Sequence, residues 1–147
     1  MFQTYPESSY QLEDHVTLKN YILGGKGIIT MKSPTGKSKT YAFNKPRNED
    51  KFDEGTIFVY RKTDINTWLY VGMITPYFKF RLTRASTWDT DNENVNGVRY
   101  LLKVADGQIK SKMEIYHCGV CAVCGRRLTH WKSILRGVGP KCRKKLR

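Results

Sequence analysis

All four cysteines of this 147-residue chain fall after residue 117, in the segment HCGVCAVCGRRLTHWKSILRGVGPKC. A Cys-x-x-Cys pair followed by Gly, a short spacer and a further Cys is the spacing of metal ligands rather than of a disulfide framework. Cys121, Cys124 and Gly125 read as a zinc knuckle, in which the backbone turns its N–H groups toward two thiolates and the glycine eases the turn. Cys142 supplies a third ligand. It follows Gly139 and Pro140, and proline suits the first position of a helix, so Cys142 is expected in the first turn of a short helix running to Leu146. A second short helix is expected over 130–136, capped by Thr129 and closed by Gly137. Spacing leaves the fourth ligand open between His117 and Cys118, with His130 more remote.

Other chemistries fit the segment less well. A four-iron cluster usually has Pro after its last Cys, not before it, and needs more apolar cover than this tail offers. A redox Cys-x-x-Cys lacks its strand–helix context. A catalytic zinc would need a local general base, yet no Asp or Glu follows Glu114. The expected cofactor is therefore structural Zn2+.

The tail has a physical need for a staple. Residues 115–147 are too few to bury a core of their own. They also carry 9 Lys and Arg and no acidic residue, out of 26 basic and 13 acidic residues in a chain of net charge +13. Charge concentrated in this way points to a polyanionic partner: nucleic acid first, an anionic membrane surface second, with a merely solvated tail as the bland alternative. No apolar run approaches the roughly 20 residues of a membrane span, and no signal peptide precedes the polar start, so a soluble, cytoplasmic protein with no membrane partner is expected.

The rest of the chain reads as α+β. Strands are expected at 27–32, 39–43, 56–61, 68–74 and 77–83, with a hairpin turn at 33–37. A further strand over 110–116 leads into the cysteines. Apolar spacing at 95, 98, 101 and 102 marks one helix near 94–105, begun by Thr90 or Asp91. Residues 17–23 fit a short helix or a strand lead-in. The expected architecture is a small antiparallel sheet or partly open barrel with one packed helix over 1–112. A zinc module of two short helices follows at 113–147.

The tail resembles the C-terminal motif of a family of small phage and prophage proteins of unknown function. That motif reads His-Glu-Gly-x-Cys-x-x-Cys-Gly-Arg-x-Leu-Thr, then Ser-Ile, then Gly-x-Gly-Pro-x-Cys. Here it appears as His117, Gly119, Cys121, Cys124, Gly125, Arg126, Leu128, Thr129, Ser133, Ile134, Gly137, Gly139, Pro140 and Cys142. The likeness extends to 27–43 and 68–74. It implies a phage-related origin, a host-cytoplasmic location and a ligand set of His117, Cys121, Cys124 and Cys142. Cys118, standing where the family has Glu, becomes the alternative ligand.

Held around a metal, Arg126, Arg127, Lys132, Arg136, Lys141, Arg143, Lys144, Lys145 and Arg147 are placed to contact phosphates of DNA or RNA. Trp131 suits stacking on an exposed base, or packing over the metal shell. Strand aromatics interleaved with Lys39, Arg61, Lys79 and Arg81 offer a second surface, though most are expected in the core. The leading expectation is a non-catalytic nucleic-acid-binding protein. The second is a phage-encoded factor that inhibits a host defence or transcription complex. A nuclease ranks below both, because Asp89, Asp91 and Glu93 read as a loop and a helix start.

Overall fold

Seven strands and four helices are found among the residues that the computed structural model describes, 8–46 and 54–144. In chain order they are β1 (Tyr10–Gln11), α1 (His15–Leu23), β2 (Ile28–Lys32), β3 (Ser38–Asn44), β4 (Ile57–Asp64), β5 (Thr67–Ile74), β6 (Phe80–Arg81), α2 (Glu93–Ala105), β7 (Glu114–His117), α3 (Trp131–Arg136) and α4 (Pro140–Arg143). The strands form one antiparallel sheet in the order β1-β7-β2-β3-β4-β5-β6, with β1 and β6 at its edges. The sheet is open, not a barrel. β2 to β6 are a meander in which consecutive strands pair. β7 comes from late in the chain and inserts between β1 and β2, with His117 opposite both Tyr10 and Ile29.

Side chains alternate across a strand, so each strand divides between two faces. One face carries Ile29, Met31, Tyr41, Phe43, Val59 and Val71 into the main core. There they meet Leu18, Tyr21 and Ile22 of α1 and Val95, Val98, Leu101 and Leu102 of α2. The other face holds a smaller buried cluster of Ile28, Ala42, Cys118 and Val120, with Tyr60 and Trp68 packed against it.

Two helices therefore cover the sheet, not the one expected. Residues 17–23 belong to α1, whose N-cap Asp14 accepts a hydrogen bond from the Thr17 N–H at 3.2 Å. α2 is capped by Asn92, which accepts from the Asn94 N–H at 2.8 Å, rather than by Thr90 or Asp91. The strand expected at 77–83 shrinks to β6. Thr75 N–H and Lys79 N–H both turn inward on a tight loop, and Phe78 takes φ 61° while its ring is buried beneath the Lys19 ammonium. A left-handed residue cannot continue a strand, so the alternation of Phe78, Phe80 and Leu82 is not a strand face.

The tail is packed onto this body. Cys121, Ala122, Leu128, Val138 and Cys142 belong to the main core cluster. The Lys26 N–H donates to the Ala122 carbonyl at 2.6 Å. Gly24, at the end of α1, lies so close that a Cβ there would sit 2.7 Å from the Ala122 backbone. No helix among the described residues is long and apolar enough to cross a membrane.

Candidate metal centre

The centre begins where β7 ends. Gly119 adopts φ 84°, and the chain folds back in a narrow hairpin in which Val120 bridges Arg127. Within it, the Cys121 N–H donates to the Arg126 carbonyl at 2.7 Å and the Gly125 N–H to the Cys121 carbonyl at 2.8 Å. Leu128 closes the outer rung on Gly119 at 2.8 Å. This is the knuckle geometry that the Cys-x-x-Cys-Gly spacing predicts.

The third cysteine returns by way of two short helices. α3 is capped by the His130 ring, whose Nδ1 accepts from the Lys132 N–H at 3.3 Å, and not by Thr129. It ends at Gly137, which takes the left-handed conformation (φ 71°) that a non-glycine residue would enter at a cost. A Cβ at Gly137 would also stand 2.2 Å from the Tyr21 ring. Pro140 opens α4, as expected, and Cys142 lies in its first turn. The expected continuation to Leu146 falls outside the described residues.

The result is one cluster: the sulfurs of Cys121, Cys124 and Cys142 lie within 4.8 Å of one another. Cys121 and Cys142 are buried and Cys124 is exposed. Three thiolates on a tetrahedral ion with bonds of about 2.3 Å would stand about 3.8 Å apart, so only a small contraction is needed. The electrostatics favour a cation. Burial and the neighbouring Cys124 and Cys121 push the Cys142 thiol up to about 11. Burial also raises Cys121, but N–H groups of Gly139, Cys124 and Val123 directed at its sulfur outweigh burial and bring it below the ordinary thiol range. The Gly139 donor lies 3.4 Å from that sulfur. A bound cation would relieve the crowding of three thiolates, and the soft donor set suits zinc or another thiophilic metal.

Neither candidate for the fourth ligand joins this group. His117 is fully buried, and both ring nitrogens are engaged. Nδ1 accepts from the Gly119 N–H at 3.0 Å, which leaves Nε2 to donate to the Ile134 carbonyl at 2.7 Å. The ring sits between Tyr10 and Tyr21, with centroids 5.4 and 5.1 Å away. It acts as a clamp between β7 and the end of α3. Cys118, the next residue, faces the smaller cluster on the other side of the sheet, and burial raises its pKa. His130 is an exposed helix cap. Sequence spacing could not reveal the clamp, because both partners of His117 are backbone atoms.

The basic residues surround the cluster. Arg126, Arg127, Lys132, Arg136, Lys141, Arg143 and Lys144 are all exposed, while Lys145 and Arg147 lie outside the described residues. Trp131 is 62% exposed, so it does not pack over the thiols. His130 stacks beside its ring and the Lys132 ammonium stands 5.6 Å from its centroid. Leu135, one turn on, is exposed as well. Of the aromatics in and beside the sheet, Tyr41, Phe43 and Phe78 are core residues, whereas Tyr77 is exposed.

No curated protein and no solved structure gives a significant match to this chain. Residues 112–147, which hold β7, all four cysteines and both short helices, match the model of a family of unknown function, DUF6011, and the chain is similar to that family over this segment.

Proposed function

We propose that this chain is a non-catalytic nucleic-acid-binding protein whose basic C-terminal module is held in shape by a structural zinc on Cys121, Cys124 and Cys142. The observation that carries this reading is the arrangement of charge about the thiols. Seven exposed cations stand on the knuckle, α3 and α4, and residues 115–147 contain no acidic side chain to neutralise them. Cations fixed on short, stapled elements contact phosphates with less ordering entropy than the same residues on a loose tail. Exposed Trp131 adds a flat surface on which a base can stack.

The zinc here organises and does not react. Its thiolates come from the knuckle and α4, so binding fixes the direction of α4 relative to the knuckle. The chain's own residues then do the recognition: Arg126 and Arg127 from the knuckle, Lys132 and Arg136 from α3, Lys141, Arg143 and Lys144 from α4.

The test is a salt-titrated binding assay against single- and double-stranded DNA and RNA, on protein of confirmed metal content. Affinity that falls steeply with salt, and that drops when Arg143 and Lys144 are changed to Glu, is expected. Absence of binding at low salt would overturn the reading. A second reading is favoured by Leu135, which stands exposed beside Trp131 and has no role in phosphate contact. In it, the same face docks on a protein, such as a host defence or transcription complex of a phage-encoded factor. Protein that binds a purified complex of this kind, but neither DNA nor RNA, would replace the first reading with the second.

A further inference from the structure

At the far end of the sheet from the cysteines, the N-terminal half of α2 and the β2–β3 hairpin line a groove of about 880 Å³. Its sheet wall continues the face that elsewhere carries the main core. Met31 is still apolar there, but across the register the face turns to Lys39 and Arg61. These cations point from the inner side of the sheet into a partly enclosed space. The Lys39 side chain is only 26% exposed, and Arg61 is half-buried, with burial lowering its pKa.

Cations set inward in this way need counter-charge. The groove supplies one carboxylate, Glu93, itself largely exposed and 3.6 Å from the Lys39 ammonium. Arg61 is held by Oδ1 of Asn94 at 2.9 Å, the carbonyl of Lys62 and the Tyr41 ring, so the single carboxylate of Glu93 serves both inward cations. Lys37 on the hairpin adds a third cation. The floor beside them is apolar and aromatic, formed by Met31, Met113 and Tyr100. The volume falls in the range of small-ligand sites, which combine an apolar lining with a few charged groups.

We infer that this groove binds a nucleoside phosphate, free or as the end of a strand, with its phosphate on Lys37, Lys39 and Arg61 and its base on Met31, Met113 and Tyr100. This site is separate from the basic module and does not rest on the function proposed for it.

The test is calorimetric titration of the whole, metal-loaded chain at low salt with four probes: adenosine 5′-monophosphate, adenosine, inorganic phosphate and a 5′-phosphorylated tetranucleotide. Saturable binding of the monophosphate or the tetranucleotide is expected, with adenosine and inorganic phosphate each weaker by about tenfold or more. Binding of the monophosphate itself identifies a free nucleotide as ligand, and binding of the tetranucleotide alone identifies a strand end. Lys37→Glu combined with Lys39→Gln should abolish the preference for the phosphorylated probes. Lys37 is exposed on the hairpin, so Lys37→Glu alone keeps the test valid if the double variant misfolds. Three results would overturn the inference. They are no binding of either phosphorylated probe, inorganic phosphate or adenosine binding as well as the monophosphate, and binding that survives the groove variants but is lost in Arg143→Glu/Lys144→Glu.

Discussion

The body of this protein and its tail are held by different physics. The body buries Tyr21, Tyr41, Phe43, Ile57, Val59 and Val71 completely, between a sheet and two helices. Its cohesion is the ordinary one of apolar area removed from water. In the tail, α3 buries only Ser133 and α4 only Cys142. Trp131 and Leu135, large apolar side chains of α3, face outward. What gathers the tail is a thin apolar seam of Ala122, Leu128 and Val138 against the body, hydrogen bonds to the body such as those of Lys26 and Tyr21, and three sulfurs brought close enough to share a metal. A segment stabilised in this way can leave nearly its whole surface to cations and aromatics, which a conventional core of the same length could not.

The largest expected effect is on the staple. Cys124→Ser, or removal of metal by a strong chelator, should take bound zinc from one equivalent to none, since structural sites are worth about 10 kcal/mol or more in small zinc modules. Hydrogen exchange should then lose protection over α3 and α4 while β3, β4 and β5 keep theirs. Retained metal in Cys124→Ser would break the ligand assignment.

Phe43→Ala strikes the other region. It should cost about 3–5 kcal/mol by denaturant unfolding, the usual price of emptying a buried aromatic site. Zinc content below the unfolding transition should not change.

His117 lies where the two regions meet. His117→Gln should leave the metal bound and cost about 1–3 kcal/mol, because the Gly119 N–H and the Ile134 carbonyl lose well-placed partners. Burial holds the native ring neutral, with its pKa below the ordinary value despite the bond to Ile134. The unfolded chain therefore takes up a proton that the native state refuses. The contribution is complete above about pH 6.5 and is lost as the pH falls from there toward the depressed native pKa. The variant should show a shallower loss between pH 7 and 5, and an identical pH profile would remove the clamp. If His117→Gln instead sheds zinc, the histidine is a ligand after all.

The smallest effect sharpens the contrast from outside. Trp131→Ala should change stability by no more than about 0.5 kcal/mol, as befits an exposed side chain. Its affinity for single strands should fall by about 1–3 kcal/mol in the binding assay, if a base stacks there.

Much of this was legible in the residues. The β-branched and aromatic runs at 27–32, 39–43, 56–61 and 68–74 mark their strands, and the apolar period of 95, 98, 101 and 102 marks α2. The knuckle followed from Cys121, Cys124 and Gly125. α1 was ambiguous because Val16, on its outward side, is as apolar as the residues it buries, which blurs the period. β6 was overdrawn because alternation says nothing of a left-handed Phe78. The fourth ligand is not legible for a related reason. His117 and Cys118 are neighbours at a strand end and face opposite ways, so proximity in sequence was no guide to proximity in space. The exposure of Trp131 is a tertiary outcome that no local pattern encodes.

The insertion of β7 between β1 and β2 has a consequence for the order of assembly. While the chain is being made, β2 to β6 can pair each with the next in sequence, but the free edge of β2 stays open until β7 emerges. The strand that closes it carries His117 at its end and leads directly into the cysteines. Contacts so distant in sequence form late. The last strand to pair thus lies directly before the three-cysteine cluster, and any delay in docking that segment leaves the β2 edge open to pairing with another molecule.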